Sequence, residues 1–412
     1  MKLIYSSYSP NTRPKDLNLN YRLLLSPRRW FDTGSISRVN DHFLKLHPGK
    51  TVLTYSHARS ALFELLSSIS KPNGNVVYQG FTCAAASLPA VWAGLTPRYI
   101  DIQKGKLVPA EDTIIAGIDP QTVAVVVQVT LGSVPSYEKV REICKQRGIL
   151  LILDSTHFIP TSNSEVLPET DVIIYSLGRD KVVSGVDGGV MVFDPELDVA
   201  STLNTRYLSL HYPGSSWVFK RILFPILWRT IKSTYVSGFG KVLHLIYTKS
   251  GLISRATTKE EKQGERPKHI PTKLPGALAE IAMGQLEDIS EIQSYRALLF
   301  QKFIKALGED RNITIVEENP DVVPLRMALR VKDRTGLMKY MKEQNILLGD
   351  WYWNPVAPAT FSPYITMYDE GSCPNAEDLC RDIINLPLHA NISPSDADRI
   401  ILELTNYYNS HV

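Results

Sequence analysis

"TVAVVVQVTLGSVPSYEKVREICKQRGILLILD", residues 122–154, is the stretch on which the fold turns. Its two ends are runs of Val, Ile and Leu without polar alternation. Its middle, "SYEKVREICKQRG", spaces apolar residues at helical intervals and stops on a glycine. Strands that are apolar on both sides belong to a sheet covered on both faces, so a strand–helix–strand unit of this kind predicts an α/β sheet. The alternation continues outward. "HARSALFELLSSI" (57–69) reads as helix and "NVVYQ" (75–79) as strand, then "ASLPAVWAGL" as helix and "PRYIDI" as strand, with "DVIIYS" and "GGVMVF" closing the series.

Bulk properties leave this reading undisturbed. The 412 residues exceed the size at which single cores stop growing, which predicts one large domain and a smaller one. With 44% hydrophobic residues, 21% charged and a net charge of +3, no global field calls for nucleic acid. Cys83, Cys144, Cys373 and Cys380 form neither a CxxC pair nor a zinc spacing, so no metal is expected and reduced thiols are. The first residues, "MKLIYSSYSPNTRPKD", lack the design of a signal peptide, and no apolar run has the length of a membrane span. The expected location is cytoplasmic.

In sheets of this kind ligands gather at the carboxyl ends of the strands. Asp154 directly follows "ILLIL", and Lys181 lies in "YSLGRDKVVSGVDGGVMVF" (175–193), in the loop after "DVIIYS". A lone acidic residue there is often a helix cap. Paired with a lysine it suits pyridoxal phosphate, which binds an amine as a Schiff base and needs a carboxylate on its pyridine nitrogen.

Seven pieces in order carry a resemblance: "SHARSAL", "GFTCAAASLPAVWAGLTPRYIDI", "DPQTVAVVVQVTLG", "ILDSTH", "YSLGRDKVVSGVDGGV", "ALAEIAMGQL" and "CPNAEDLCRDIINLPLH". The chain resembles the DegT-type nucleotide-sugar aminotransferases of the fold type I pyridoxal-phosphate superfamily, from about residue 50 to the C-terminus. The resemblance implies a large, mixed, mostly parallel sheet with a smaller C-terminal α+β domain, and pyridoxal 5'-phosphate as cofactor. It assigns the Schiff base and proton transfer to Lys181, the pyridine nitrogen to Asp154, the ring hydroxyl to His157 and the phosphate to Ser176. Ala58, Arg59 and Ser60 fall where the family cups the phosphate, although the family usually has Gly-Thr in place of Ala58-Arg59. Cys83 falls where an aromatic residue commonly faces the ring, and Phe81 is an alternative support. Lys273 matches, by charge alone, an arginine that reaches across a dimer interface. Implied partners are an amino donor such as glutamate, a keto sugar carried on a nucleotide, and a second copy of the chain. A cofactor-binding scaffold or regulator without turnover, and a lyase or dehydratase, remain alternatives.

The expected organisation is an N-terminal arm (1–50), the cofactor-binding domain (51–198), an insertion (199–270), and a connecting helix with the small domain (271–412). Between Val199 and Lys259 the insertion has no Asp or Glu and nine Lys or Arg, among them Lys220, Arg221, Arg229, Lys232, Lys241 and Lys249. Two readings stay open for residues 205–250: a helical hairpin packed on the dimer interface or over the site, or a peripheral contact with an anionic membrane surface. "TTKEEKQGERPKHIPT" after it reads as a mobile loop. "PLRMALRV" and "NILLGDWYWNP" look like strands and "RTGLMKYMKEQ" a helix, while "AEDLCRDIINLPLH" and "SPSDADRIILELTNYY" are taken as two final helices. Trp351, Tyr352 and Trp353 suit either stacking on a ligand or the core.

Overall fold

The computed structural model describes residues 2–8, 10–162, 169–316 and 322–411. Seven strands form the main sheet: β1 (Thr51–Tyr55), β2 (Asn75–Gln79), β3 (Thr96–Ile100), β4 (Thr122–Gln128), β5 (Leu150–Asp154), β6 (Val172–Ser176) and β7 (Gly189–Phe193). Their order is β1-β7-β6-β5-β4-β2-β3. Pairing is parallel from β3 through β6, and β7 is antiparallel to both of its neighbours. Six strands therefore run one way and β7 alone runs back, as the expected mixed, mostly parallel sheet requires.

Alternate residues of each strand enter opposite cores. Val125, Val127, Leu151 and Leu153 pack on one face, and Ala124, Val126 and Ile152 on the other. Both faces are dry, which is why these strands lack polar alternation. The antiparallel return of β7 brings its first residue, Gly189, beside Ser176 and Tyr55, the last residues of β6 and β1. Gln128 and Asp154 are register partners at the same edge. The chemistry-bearing side chains thus collect at one end of the sheet.

A smaller antiparallel sheet follows, with β8 (Ile313–Ile315) and β10 (Ile383–Pro387) flanking β9 (Arg326–Val331). It packs with the helices Ile289–Leu307 and Pro394–His411 through Phe300, Phe303, Leu329, Ile384 and Leu404. Here two sequence readings are corrected. "IINLP" is not part of a helix: the helix stops at Asp382 and Ile383–Pro387 is a fully buried strand paired with β9. Of "NILLGDWYWNP" only Ile346–Leu347 is strand, paired in parallel with Ile4–Tyr5 from the N-terminus.

Residues 1–50 are more than an arm, since they contain the helices Pro14–Leu24 and Thr33–Leu46. The first of these meets the inserted helix Ser215–Ser233, where Asn20 Nδ2 donates to Ile222 O at 2.8 Å. A second inserted helix, Phe239–Lys249, folds back on it after a short turn. At Gly240 the approach is backbone to backbone, because a Cβ there would lie 2.2 Å from Ile231 O. The stretch read as a mobile loop is instead tied down. Lys259–Lys262 is a short helix closed by a Thr258–Glu261 capping box, and Trp92 Nε1 donates to Gly264 O at 3.2 Å.

Candidate active site

Lys181 lies in the loop from β6 to β7, with its backbone N–H bonded to Gly178 O at 3.2 Å. The N-terminal segment fastens this loop from outside. Asn11 Nδ2 donates to Lys181 O at 2.7 Å and to Val182 O at 3.1 Å, and the Tyr8 amide donates to Asp180 Oδ1 at 2.7 Å. The Lys181 ammonium is 5.2 Å from the centre of the Trp351 ring. Desolvation pulls its pKa below the ordinary lysine value, against the opposing charge of Asp154. Such an amine gives up its proton more readily than a surface lysine does.

Asp154 ends β5, 3% exposed. Its Oδ2 accepts from Gln128 Nε2 at 3.0 Å and its Oδ1 from the Thr156 amide at 3.1 Å. One donor on each oxygen fixes the carboxyl group and leaves lone pairs for a further partner. His157 is held by the Leu131 amide, which donates to its Nδ1 at 3.1 Å. Burial, with Lys181 and Arg326 nearby, holds its pKa well below the usual histidine range. The ring is therefore neutral and its proton sits on Nε2, the nitrogen facing Tyr352 Oη at 3.4 Å. Trp351 stacks on His157 with centroids 5.4 Å apart and planes 19° from parallel.

Ser176 Oγ accepts from the Gly178 amide at 3.2 Å, which frees its own hydroxyl hydrogen to donate elsewhere. The helix Ala58–Ser68 begins against the same strand end: a Cβ on Gly189 would lie 2.3 Å from the Ala58 nitrogen, so only glycine permits the approach. Intrahelical bonding starts with Ser60 and Ala61 on His57 O, leaving the amides of Ala58 and Arg59 ahead of the ladder. Ser60 Oγ is fully buried without a hydrogen-bond partner among the described residues. A buried, unpartnered hydroxyl in the first turn of a helix that packs on the strand ending at Ser176 fits the phosphate of pyridoxal phosphate.

Arg59 is expected at the phosphate, Cys83 at the ring face and Lys273 at a dimer interface. Arg59 is neither exposed nor free. Its Nη1 pairs with Glu261 Oε1 at 2.5 Å and its Nη2 donates to Ala256 O at 2.9 Å, both in the insertion. Cys83 caps the helix Ala84–Trp92, half-buried, with its thiol pKa raised by burial. Phe81 is wholly buried and meets Tyr352 edge-on at 5.2 Å. Lys273 Nζ turns to Leu208 O at 3.1 Å and lies over the Tyr207 ring.

Two features escaped the sequence reading. The first is Arg326 at the start of β9, 3% exposed. Its guanidinium lies 3.8 Å from the Trp351 ring centre, Nη2 donates to Ser7 Oγ at 3.2 Å, and Nη1 has no hydrogen-bond partner among the described residues. The second is a charge cluster around Asp187, whose Oδ2 meets Arg221 Nε at 3.0 Å, Arg179 Nη2 at 3.4 Å and His57 Nε2 at 3.8 Å. Arg179 also bonds Ser254 O at 2.7 Å. Despite burial, these cations hold the Asp187 carboxyl far below its ordinary pKa, Arg179 contributing most. Asp187 beside the Gly-Gly pair was visible in the sequence; its arginine partners, from the insertion and the lysine loop, were not.

The fold is that of the fold type I pyridoxal-phosphate enzymes, and the family match sets the class. The model of the DegT/DnrJ/EryC1/StrS aminotransferase family matches residues 22–218 and 252–405, and the chain belongs to that family. The gap in the match, 219–251, falls within the basic inserted helices. Among solved structures, a Streptococcus pneumoniae protein in its PLP form superposes with a TM-score of 0.74 at 16% identity, covering 100% of both chains. Helicobacter pylori PseC, an aminotransferase of pseudoaminic acid biosynthesis, gives 0.73 at 14% identity, again over 100% of both chains. DesI, solved with its TDP-sugar product, gives 0.71 at 16%, covering 99% of this chain and 93% of its own. Identities this low speak for the fold, and the family match for the class: a pyridoxal-phosphate-dependent aminotransferase.

Proposed function

We propose that the protein moves an amino group from glutamate, or a similar amino acid, to a keto sugar carried on a nucleotide, with Lys181 as the catalytic amine. The observation that carries this reading is the convergence, at one end of the sheet, of a desolvated lysine, a doubly anchored carboxylate and an anion cradle with an unpartnered hydroxyl. When bound, pyridoxal phosphate serves as an electron sink and carries the amino group between the two substrates.

The chain's own residues supply the rest. Ser60 Oγ, Ser176 Oγ and the amides of Ala58 and Arg59 hold the phosphate, assisted by the positive end of the helix. Asp154 keeps a proton on the pyridine nitrogen, and His157 donates from Nε2 to the ring hydroxyl. Lys181 Nζ would anchor the cofactor and, once released as a neutral amine, would serve as the base that takes a proton from the substrate carbon and as the acid that gives it back. Arg326 offers its free Nη1 to the carboxylate of the amino donor, and Trp351, stacked flat on His157, keeps water from that side. Support for a nucleotide-linked acceptor comes from the family and from the TDP-sugar product seen with DesI. Lys273, in this reading, faces a second copy in a homodimer.

The decisive experiment is the near-visible spectrum of the reconstituted protein, wild type against Lys181→Ala, before and after glutamate. Wild type should show the cofactor band and lose it to glutamate, and the variant should not complete the change. A wild type that takes up cofactor yet ignores every amino donor would refute the assignment.

A further inference from the structure

The inserted helix Phe239–Lys249 buries Gly240 alone. It rests on the helix Ser215–Ser233 through Gly240, Leu243, His244 and Tyr247, with Leu243 and Tyr247 packing on the small core around Phe224 and Trp228 and His244 against Trp228. The opposite side is apolar and bare: Phe239, Val242, Leu245 and Ile246 are each more than half exposed. At 100° per residue these four share one face, with Lys249 among them and Lys241 at their edge, both exposed. A solvated helix face would not carry four large apolar residues side by side, so something covers it.

Charge selects the cover. No Asp or Glu occurs from Val199 to Lys259, so the stretch that carries this face is basic throughout. A second copy docking on the same patch by twofold symmetry would set Lys241 and Lys249 against their own counterparts, which is repulsive. An anionic bilayer attracts the lysines and takes in the apolar side chains together. Among the described residues no helix is long and apolar enough to cross a membrane, and this one, eleven residues and about 16 Å long, is of a size to lie in the interface. The family match omits 219–251, so this surface lies outside the part of the chain that the family model describes.

We propose that the helix Phe239–Lys249 is an interfacial anchor that docks the enzyme on an anionic lipid surface, with Phe239, Val242, Leu245 and Ile246 inserted and Lys241 and Lys249 at the headgroups. This is independent of the proposed reaction, because the test reads binding. The full-length protein is sedimented with vesicles of phosphatidylcholine alone and with phosphatidylglycerol added, at low salt and at high salt. Wild type binds the anionic vesicles at low salt, at least tenfold better than the neutral ones, and salt weakens the binding. The triple variant Val242→Ser, Leu245→Ser, Ile246→Ser and the double variant Lys241→Glu, Lys249→Glu each lose it, while keeping the wild-type thermal midpoint and oligomeric mass. Absence of binding by wild type overturns the proposal. So does a fall in the oligomeric mass of the triple variant, since the face would then be an interface between copies.

Discussion

Arg221, on the inserted helix Ser215–Ser233, donates from Nε to Asp187 Oδ2 at 3.0 Å, two residues before the glycine that opens β7. A segment added to the large domain is thereby bonded to the loop that carries Lys181. Arg179, on the same loop, reaches the same oxygen at 3.4 Å, and its guanidinium lies 4.2 Å from the Phe224 ring centre on the insertion. The buried carboxylate holds both cations in place.

Asp187→Asn should therefore cost about 3–5 kcal/mol, because it leaves two buried guanidinium groups facing a neutral amide. Denaturant unfolding measures this. The Asp187 pKa is depressed in the folded state, so its stabilisation is present above the ordinary carboxylate value and fades as pH falls through the folded one. The gap between variant and wild type should accordingly narrow only in strong acid.

Buried histidines predict a milder loss at higher pH. His47 and His269 are held at about 4 and His389 at about 3, each chiefly by burial. Their folded values lie below the ordinary 6.5, so the folded state prefers the neutral rings. Stability is greatest above pH 6.5 and declines as pH falls toward 4. The thermal midpoint should drop by about 5 °C or more between pH 7.5 and pH 5.

Ser60→Ala separates a cofactor contact from a structural one. The hydroxyl makes no hydrogen bond among the described residues, so the apo protein should unfold at the wild-type temperature or slightly above it. Cofactor affinity, read by absorbance titration, should fall about tenfold, the worth of one hydrogen bond to a charged group. An unchanged affinity would remove Ser60 from the phosphate site.

Arg326→Gln should raise KM for the amino donor at least tenfold and leave KM for the sugar acceptor near wild type. Arg326→Lys should recover only part of this, because an ammonium lacks the guanidinium fork. Equal effects on both substrates would mean that the residue supports the pocket as a whole instead of binding one carboxylate.

Lys181→Ala should lower kcat by about a thousandfold or more while the fold persists, since the side chain is spent on chemistry. Steady-state rates alongside circular dichroism check both halves.

The sequence by itself determined the alternating strands and helices, because runs such as "TVAVVVQ" and "ILLIL" are buried on both faces wherever they occur, and periodicity is local. It also pointed to Asp154 and Lys181, since the ends of such strands are where a ligand can approach, while Ser176 was singled out by the family resemblance. Short apolar segments were another matter. "IINLP" carries no period of its own, and pairing with β9 made it a strand. "TTKEEKQ" looked unanchored until Glu261 met Arg59 across the fold. The far partners were decided by tertiary structure alone: Arg326 and Trp351 around Lys181, Tyr8 and Asn11 over its loop, Arg221 on Asp187. Each of these contacts joins residues far apart along the chain, and the distance between them depends on how the sheet is ordered and how the insertion docks. No local pattern records that, because the energy that fixes it resides in contacts between elements.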